Sequence, residues 1–112
     1  ESACALGNDF EQKSVLLLDD EQLSALREDF YVAVIGADRT DSLACSIYRS
    51  NGYIPDLGVA LGVGGLQDYR AKSGIVQKTL LLSDYSPTIQ AATLCALLRI
   101  SQDELFQKVK NT

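Results

Sequence analysis

The residues best suited to chemistry lie in the short run Gly36-Ala37-Asp38-Arg39-Thr40, between an apolar stretch and a helical pattern. Free N–H groups and the dipole at a helix start attract anions. The Arg39 guanidinium can add a bidentate clamp for a carboxylate, phosphate or sulfate. The sequence therefore predicts an anion-binding loop formed by Gly36, Ala37, Asp38, Arg39 and Thr40. The alternative is an ordinary strand-to-helix turn, capped by Thr40 or Asp41, with Arg39 on the surface.

The three cysteines, Cys4, Cys45 and Cys95, are widely spaced and include no C-x-x-C pair. This pattern fits neither a disulfide framework nor a zinc site, and it favours an intracellular, reducing compartment, most simply the cytoplasm. Cys45 is the candidate reactive thiol because it follows the predicted anion loop. It lies more than a helical turn beyond the anion-binding end, however, so the helix dipole would activate it little. The alternative for Cys45 and Cys95 is a buried packing cysteine.

Several kinds of chemistry are excluded or disfavoured by composition. The chain has no histidine, which excludes histidine acid–base catalysis, Ser–His triads and histidine metal sites. The run Gly62-Val63-Gly64-Gly65 lacks the third glycine of a dinucleotide loop, and no Lys-Ser/Thr pair follows it. The acidic pairs Asp19-Asp20 and Asp103-Glu104 stand at predicted helix starts, where they complement the dipole. We therefore predict no catalytic residue, metal site or cofactor.

Length and charge predict one soluble globular domain. The chain has 112 residues, of which 46% are hydrophobic and 22% charged, with a net charge of −5. Basic residues do not cluster, which disfavours nucleic acid and anionic membranes as partners. No uncharged apolar stretch is long enough to cross a bilayer. The absence of methionine indicates either that an initiating methionine has been removed or that the chain is a processed or cloned segment.

The elements that must position these residues are predicted as alternating strands and helices. Apolar runs predict buried strands at residues 14–18, 30–35, 59–63 and 76–82. Helices are predicted at residues 20–26, 41–50 and 66–72, and two more are expected after Pro87 and Ser101. This order favours an α/β fold with a small, mostly parallel central sheet flanked by helices. The predicted single domain, residues 1–112, has a lead-in (1–13), an α/β part (14–82) and a C-terminal helical pair (86–111).

The order of motifs resembles the second half of a rhodanese-like domain over about residues 15–75. The resemblance depends on the run from Phe30 to Ala44, then Asn51-Gly52-Tyr53, then the run from Leu61 to Tyr69. It implies a rhodanese-like α/β fold in which the first run contains the active-site loop. The family's nucleophilic cysteine would fall at Ala33 or Val34. The resemblance therefore implies a degenerate member without sulfur transfer at that loop.

These observations favour a non-catalytic binding or regulatory module that binds a protein partner or a small anion. One alternative is a sulfurtransferase or phosphatase-like enzyme that uses Cys45, and another is a structural segment of a longer or processed polyprotein. The stretch Ile89–Ile100 is apolar nearly all round, and the helix after it presents further apolar residues over Leu105–Val109. We expect a protein partner or self-association through these two segments.

Overall fold

The computed structural model describes residues 2–112, with all their side chains except those at positions 2 and 9. The chain is 67% helical, and the described residues form no strand. They divide into two compact units, one ending at Tyr31 and the other comprising Val32–Thr112. The helices are α1 (Ser2–Lys13), α2 (Asp20–Asp29), α3 (Ala37–Asn51), α4 (Leu57–Ser73), a 3₁₀ turn (Pro87–Gln90), α5 (Ala91–Leu98) and α6 (Gln102–Lys110).

The predicted α/β fold with a central sheet is wrong, and the rhodanese-like architecture expected from the resemblance is wrong with it. The predicted strand at 59–63 lies inside α4, and the predicted turn at Gly64-Gly65 lies inside the same helix. The runs 14–18, 30–35 and 76–82 are not helical, but none of them pairs into a sheet within the described range. Short apolar runs indicate burial or extension, and periodicity alone cannot separate a strand from part of a buried helix.

Helix α4 forms despite its glycines because its ends are well capped and its middle is closely packed. The Asp56 side chain accepts a hydrogen bond from the Val59 N–H at 2.9 Å. At the other end Gly74 takes the left-handed conformation and donates to the Arg70 carbonyl. A Cβ placed on Gly64 would lie only 3.0 Å from Leu43 Cδ1. Close approach of α3 therefore offsets the cost of about 1 kcal/mol that a helical glycine carries.

Some of the helix ends predicted from capping residues are confirmed and others are not. The predicted cap of α2 was Asp20, but the helix begins at Asp20 behind a reciprocal capping box between Asp19 and Gln22. Helix α3 ends at Asn51 with Gly52 in the left-handed conformation, as the pair Asn51-Gly52 predicts, but it begins four residues earlier than expected and its N-cap is Gly36 rather than Thr40 or Asp41. The Ser101 side chain caps α6 by accepting from the Glu104 N–H. Residues 2–13, for which no element was predicted, form α1.

The core of the second unit lies between the C-terminal helices and the residues that precede α4. Ile54, Leu94 and Leu105 form a fully buried cluster. Around it pack partly buried residues from α3 to α6, namely Tyr48, Leu57, Ala91, Cys95, Leu98, Ile100 and Val109. Within the described part of the chain, no helix combines the length and apolar character needed to cross a membrane.

Candidate functional site

The predicted anion loop is the start of α3. Gly36 is the N-cap residue and has no side chain with which to cap. Positions 37–40 form the first helical turn, and the buried Thr40 hydroxyl donates to the Gly36 carbonyl at 3.0 Å. The predicted residues are therefore together in space, but the turn leads from a non-helical segment rather than from a strand.

Arg39 is held by α4. Its Nη2 lies 2.7 Å from Asp68 Oδ1, and its Nη1 donates to Asp68 Oδ2 at 3.0 Å. This hydrogen-bonded pair lowers the pKa of Asp68 and raises the pKa of Arg39. Gln67 Oε1 is also within reach of the guanidinium, at 3.4 Å. An anion at the 36–40 turn would compete with Asp68 for Arg39, and binding there stays a prediction.

Cys45 faces away from the predicted anion loop. Eight residues separate it from Ala37, which is about 12 Å along the helix axis at 1.5 Å per residue. Its half-buried Sγ lies 3.6 Å from the Leu97 carbonyl, to which the thiol donates. Cys4 is exposed on α1, whereas the half-buried Cys95 packs against the core of the second unit. The Cys45 thiol has the Leu97 carbonyl as its hydrogen-bond acceptor, and its use as a nucleophile stays a prediction.

The sequence did not predict the cavity described next. A cavity of ≈ 280 Å³ lies between α3 and the end of α5, and it is lined by Cys45, Tyr48, Arg49, Leu97, Leu98 and Arg99. The sequence signal that could have indicated it is Arg99, which stands where a helix ends but a glycine would be expected. Among residues 2–112, no group of three or more Cys, Asp or Glu side chains is arranged to hold a metal.

Two non-helical segments of the second unit lie against the same face of α4. A Cβ on Gly65 would lie 3.5 Å from Ala33 Cβ, and a Cβ on Gly62 would lie 3.3 Å from Leu81 Cδ2. Residues three apart on a helix face the same way. The 32–35 and 79–82 segments therefore rest on one glycine-lined face of α4.

Ala33 and Leu81 face α4, and the residues on either side of each along the chain are the most exposed apolar side chains of the second unit. Val32 is 83% exposed and Val34 93%, while Leu80 is 83% exposed and Leu82 81%. We call these four residues the outer row. Side chains that alternate between a covered and an open face are typical of extended backbone with one uncovered face. The sequence led to the expectation that 30–35 is covered on both faces, and the structure covers only one.

The helices expected to mediate association contribute partly to the core. Leu94 and Leu105 are fully buried, while Ile89 is 70% and Phe106 46% exposed. Association through Ile89–Ile100 and Leu105–Val109 stays a prediction, with Ile89 and Phe106 as its available side chains.

Comparison of the chain with protein-family models, with curated proteins and with solved structures finds no match. Function is therefore inferred from the chemistry of these residues alone.

Proposed function

We propose that the unit beginning at Val32 is a non-catalytic protein-interaction module whose partner is a second copy of the same chain. The observation that supports this is the outer row, four apolar side chains that are each at least 81% exposed. Contiguous exposed apolar surface on a folded unit marks an interaction site, whereas single exposed apolar residues need no explanation.

The backbone of these segments is also available for pairing. Within the described range, residues 32–35 and 80–82 form no backbone–backbone hydrogen bond. Unpaired N–H and C=O groups along an extended run are a template for an added strand. The partner would therefore contribute an extended apolar segment, so that main-chain hydrogen bonds supply affinity and the outer row is covered.

The segment around Leu81 is held in place before any partner arrives. Arg70 Nη2 donates to the Gln77 carbonyl at 3.0 Å and lies 3.4 Å from Thr79 Oγ1. After the segment, the Ser83 hydroxyl donates to the buried Asp56 carboxylate. A binding segment that is already ordered loses less conformational entropy on association, which favours binding.

A second copy fits this surface because the surface is apolar and uncharged, so that two identical surfaces can pack against each other. Neither Val32-Ala33-Val34-Ile35 nor Thr79-Leu80-Leu81-Leu82 contains a charged residue, so identical segments can meet without like-charge repulsion despite the net charge of −5. The exposed patch is on the order of several hundred Å². A two-fold interface buries such a patch twice, which approaches the lower limit of about 1,200 Å² for specific interfaces.

Light scattering coupled to size-exclusion chromatography, run from low to high micromolar chain concentration, tests the proposal. We expect the wild type to shift from monomer to dimer as concentration rises. Val34→Lys and Leu80→Lys place a charge in the outer row without entering the core, and both should stay monomeric with unchanged helical circular dichroism.

Ile89→Lys is the matched control, because Ile89 is also an exposed apolar residue, at 70%, but lies outside the outer row. It should dimerise like the wild type. A wild type that remains strictly monomeric at high micromolar concentration would overturn the proposal. A dimer that Ile89→Lys abolishes and Val34→Lys leaves intact would place the interface on the C-terminal helices instead.

A further inference from the structure

The cavity between α3 and α5 presents two arginines without acidic partners. Arg49 stands in the last turn of α3, and Arg99 is the residue at which α5 ends. Both line the same cavity of ≈ 280 Å³. Within residues 2–112 neither side chain forms an ion pair or a hydrogen bond, in contrast to Arg39, which is paired with Asp68.

The absence of a partner is notable in a chain with 15 acidic and 10 basic residues. Two guanidinium groups on one concave surface raise the local positive potential, and that potential favours an anion. Arginine also presents a planar set of N–H donors that matches a carboxylate or a phosphate. The cavity therefore has unused donors on its polar side.

The backbone at Arg99 makes this placement unusual. Three helices of the second unit end in a left-handed residue, and two of these residues are glycines: Gly52 with φ 67° after α3 and Gly74 with φ 70° after α4. The third is Arg99, with φ 57° and ψ 46°. A residue with a Cβ is disfavoured in this conformation. Such local strain is concentrated at sites where function requires the side chain.

The end of α5 does not oppose an anion as an open helix C-terminus would. The Cys95 carbonyl accepts from the Arg99 N–H and lies 3.2 Å from the Ile100 nitrogen, which also donates to it. The Leu97 carbonyl accepts the Cys45 thiol. Two carbonyls at this end of α5 are therefore engaged, and the Glu104 carboxylate accepts from the hydroxyl of Tyr48, another residue of the cavity wall. The side chains of Leu97 and Leu98 add apolar wall.

We propose that this cavity binds a small organic phosphate monoester. The phosphate dianion is matched by the two guanidinium groups, and the organic part lies against Leu97 and Leu98. The cavity volume is close to the lower limit for small-molecule sites, which suits a compact ligand. Cys45 is part of the cavity wall, and its thiol is directed to the Leu97 carbonyl.

The proposal is tested by calorimetric titration of the full chain with inorganic phosphate and with phenyl phosphate, against sodium chloride at matched ionic strength. We expect both phosphates to bind, and phenyl phosphate at least threefold more tightly because its ring contacts the apolar wall. Arg49→Ala and Arg99→Gly should each weaken binding at least tenfold. Arg99→Gly should unfold at a temperature no lower than the wild type, since glycine suits the left-handed position.

A second readout locates the ligand within the protein. Alkylation of each cysteine by iodoacetamide is followed by mass spectrometry of the resulting peptides. Saturating phenyl phosphate should slow the alkylation of Cys45 at least threefold and leave the exposed Cys4 unchanged. Arg27→Ala is the matched control variant and should bind like the wild type, because Arg27 is exposed and lies in neither the cavity nor the 36–40 turn.

Three results would overturn the proposal. The first is the absence of binding at tens of millimolar phosphate. The second is binding that Arg39→Ala abolishes and Arg99→Gly leaves intact, which would place the anion at the 36–40 turn. The third is binding without protection of Cys45.

Discussion

The Ser83 hydroxyl donates a hydrogen bond to the buried Asp56 carboxylate, across 27 residues of sequence. The same carboxylate caps α4 by accepting from the Val59 N–H. One side chain thus fixes both the start of the helix and the end of the segment that carries Leu80 and Leu82. The two arrangements are coupled, because Asp56 cannot leave one partner without disturbing the other.

Replacement of Asp56 should therefore cost more than replacement of an ordinary cap. Asp56→Ala removes an N-cap, for which the usual loss is about 1 kcal/mol. It also removes the hydrogen bond from the Ser83 hydroxyl, which keeps only the Tyr85 carbonyl as its acceptor, and this loss adds about 1 kcal/mol. Urea unfolding followed by circular dichroism measures the free energy of unfolding. Ser101→Ala, which removes the exposed cap of α6, is the control, and an equal loss in both variants would contradict the coupling.

The pair between Arg39 and Asp68 predicts a pH-dependent contribution to stability. The pKa of Asp68 is lowered in the folded chain by the hydrogen bond from Arg39. A carboxyl whose folded pKa is depressed stabilises the fold above its unfolded pKa and loses that contribution as pH falls through the folded value. Asp68→Asn should therefore be slightly less stable than the wild type at pH 7. The difference should begin to shrink as pH falls below the ordinary value of 3.8 and should vanish below the depressed pKa of the folded chain.

Thermal unfolding from pH 7 to pH 2 measures this difference. Asp84→Asn is the matched control, since Asp84 is exposed and has no partner among the described residues. The effect at pH 7 should be small and should shrink at high salt, because the pair is exposed to solvent. If the difference in stability between the wild type and Asp68→Asn persists unchanged at low pH, the contribution of Asp68 is not electrostatic.

Capping residues predicted helix ends well because their chemistry is local. Ser101 and Gly52 each act within three or four residues along the chain, and the structure confirms both positions. For α2 the predicted cap was Asp20, and the structure places the cap one residue earlier, at Asp19. The apolar runs were less informative. Val59 to Val63 carries no signal in its residue types that separates a buried strand from a buried helix. Gly62 weakens the strand prediction, and Gly64-Gly65 favoured a turn after it.

Tertiary contacts decided that this segment forms a helix. Gly62 and Gly64 fit in α4 where Leu81, Leu43 and Ile35 approach the helix at distances that a Cβ would crowd. No local pattern encodes such an approach. The same holds for the site residues: the Arg39 partner, Asp68, and the cavity that unites Arg49 with Arg99 depend on how α3 meets α4 and α5.

Two neighbouring glycines of α4 test this account of the helix. Gly65→Ala meets Ala33 Cβ at an ordinary 3.5 Å, so the gain in helix propensity should raise the free energy of unfolding by about 0.5–1 kcal/mol. Gly64→Ala would place its Cβ 3.0 Å from Leu43 Cδ1 and 3.2 Å from Ile35 Cγ1. The resulting crowding should make Gly64→Ala less stable than Gly65→Ala in urea unfolding. Equal gains in the two variants would mean that α3 is not packed closely against Gly64.

The last prediction concerns two adjacent residues of α6. Leu105 is fully buried beside Leu94 and Ile54, whereas Phe106 is 46% exposed. Leu105→Ala should lower the free energy of unfolding by about 2–5 kcal/mol, because it removes buried methyl groups and leaves a cavity. Phe106→Ala should cost less than half as much, since much of that ring is already in water.

Chemical denaturation of both variants checks this, and Leu105→Val provides a milder change should Leu105→Ala not fold at all. The wild type should be the most stable, followed by Leu105→Val and then Leu105→Ala. Phe106→Ala should be more stable than Leu105→Ala. If Phe106→Ala proves the more damaging variant, the apolar face of α6 that is covered in solution is the one that carries Phe106. That result would support the association predicted through Leu105–Val109, because a partner would then be what covers Phe106.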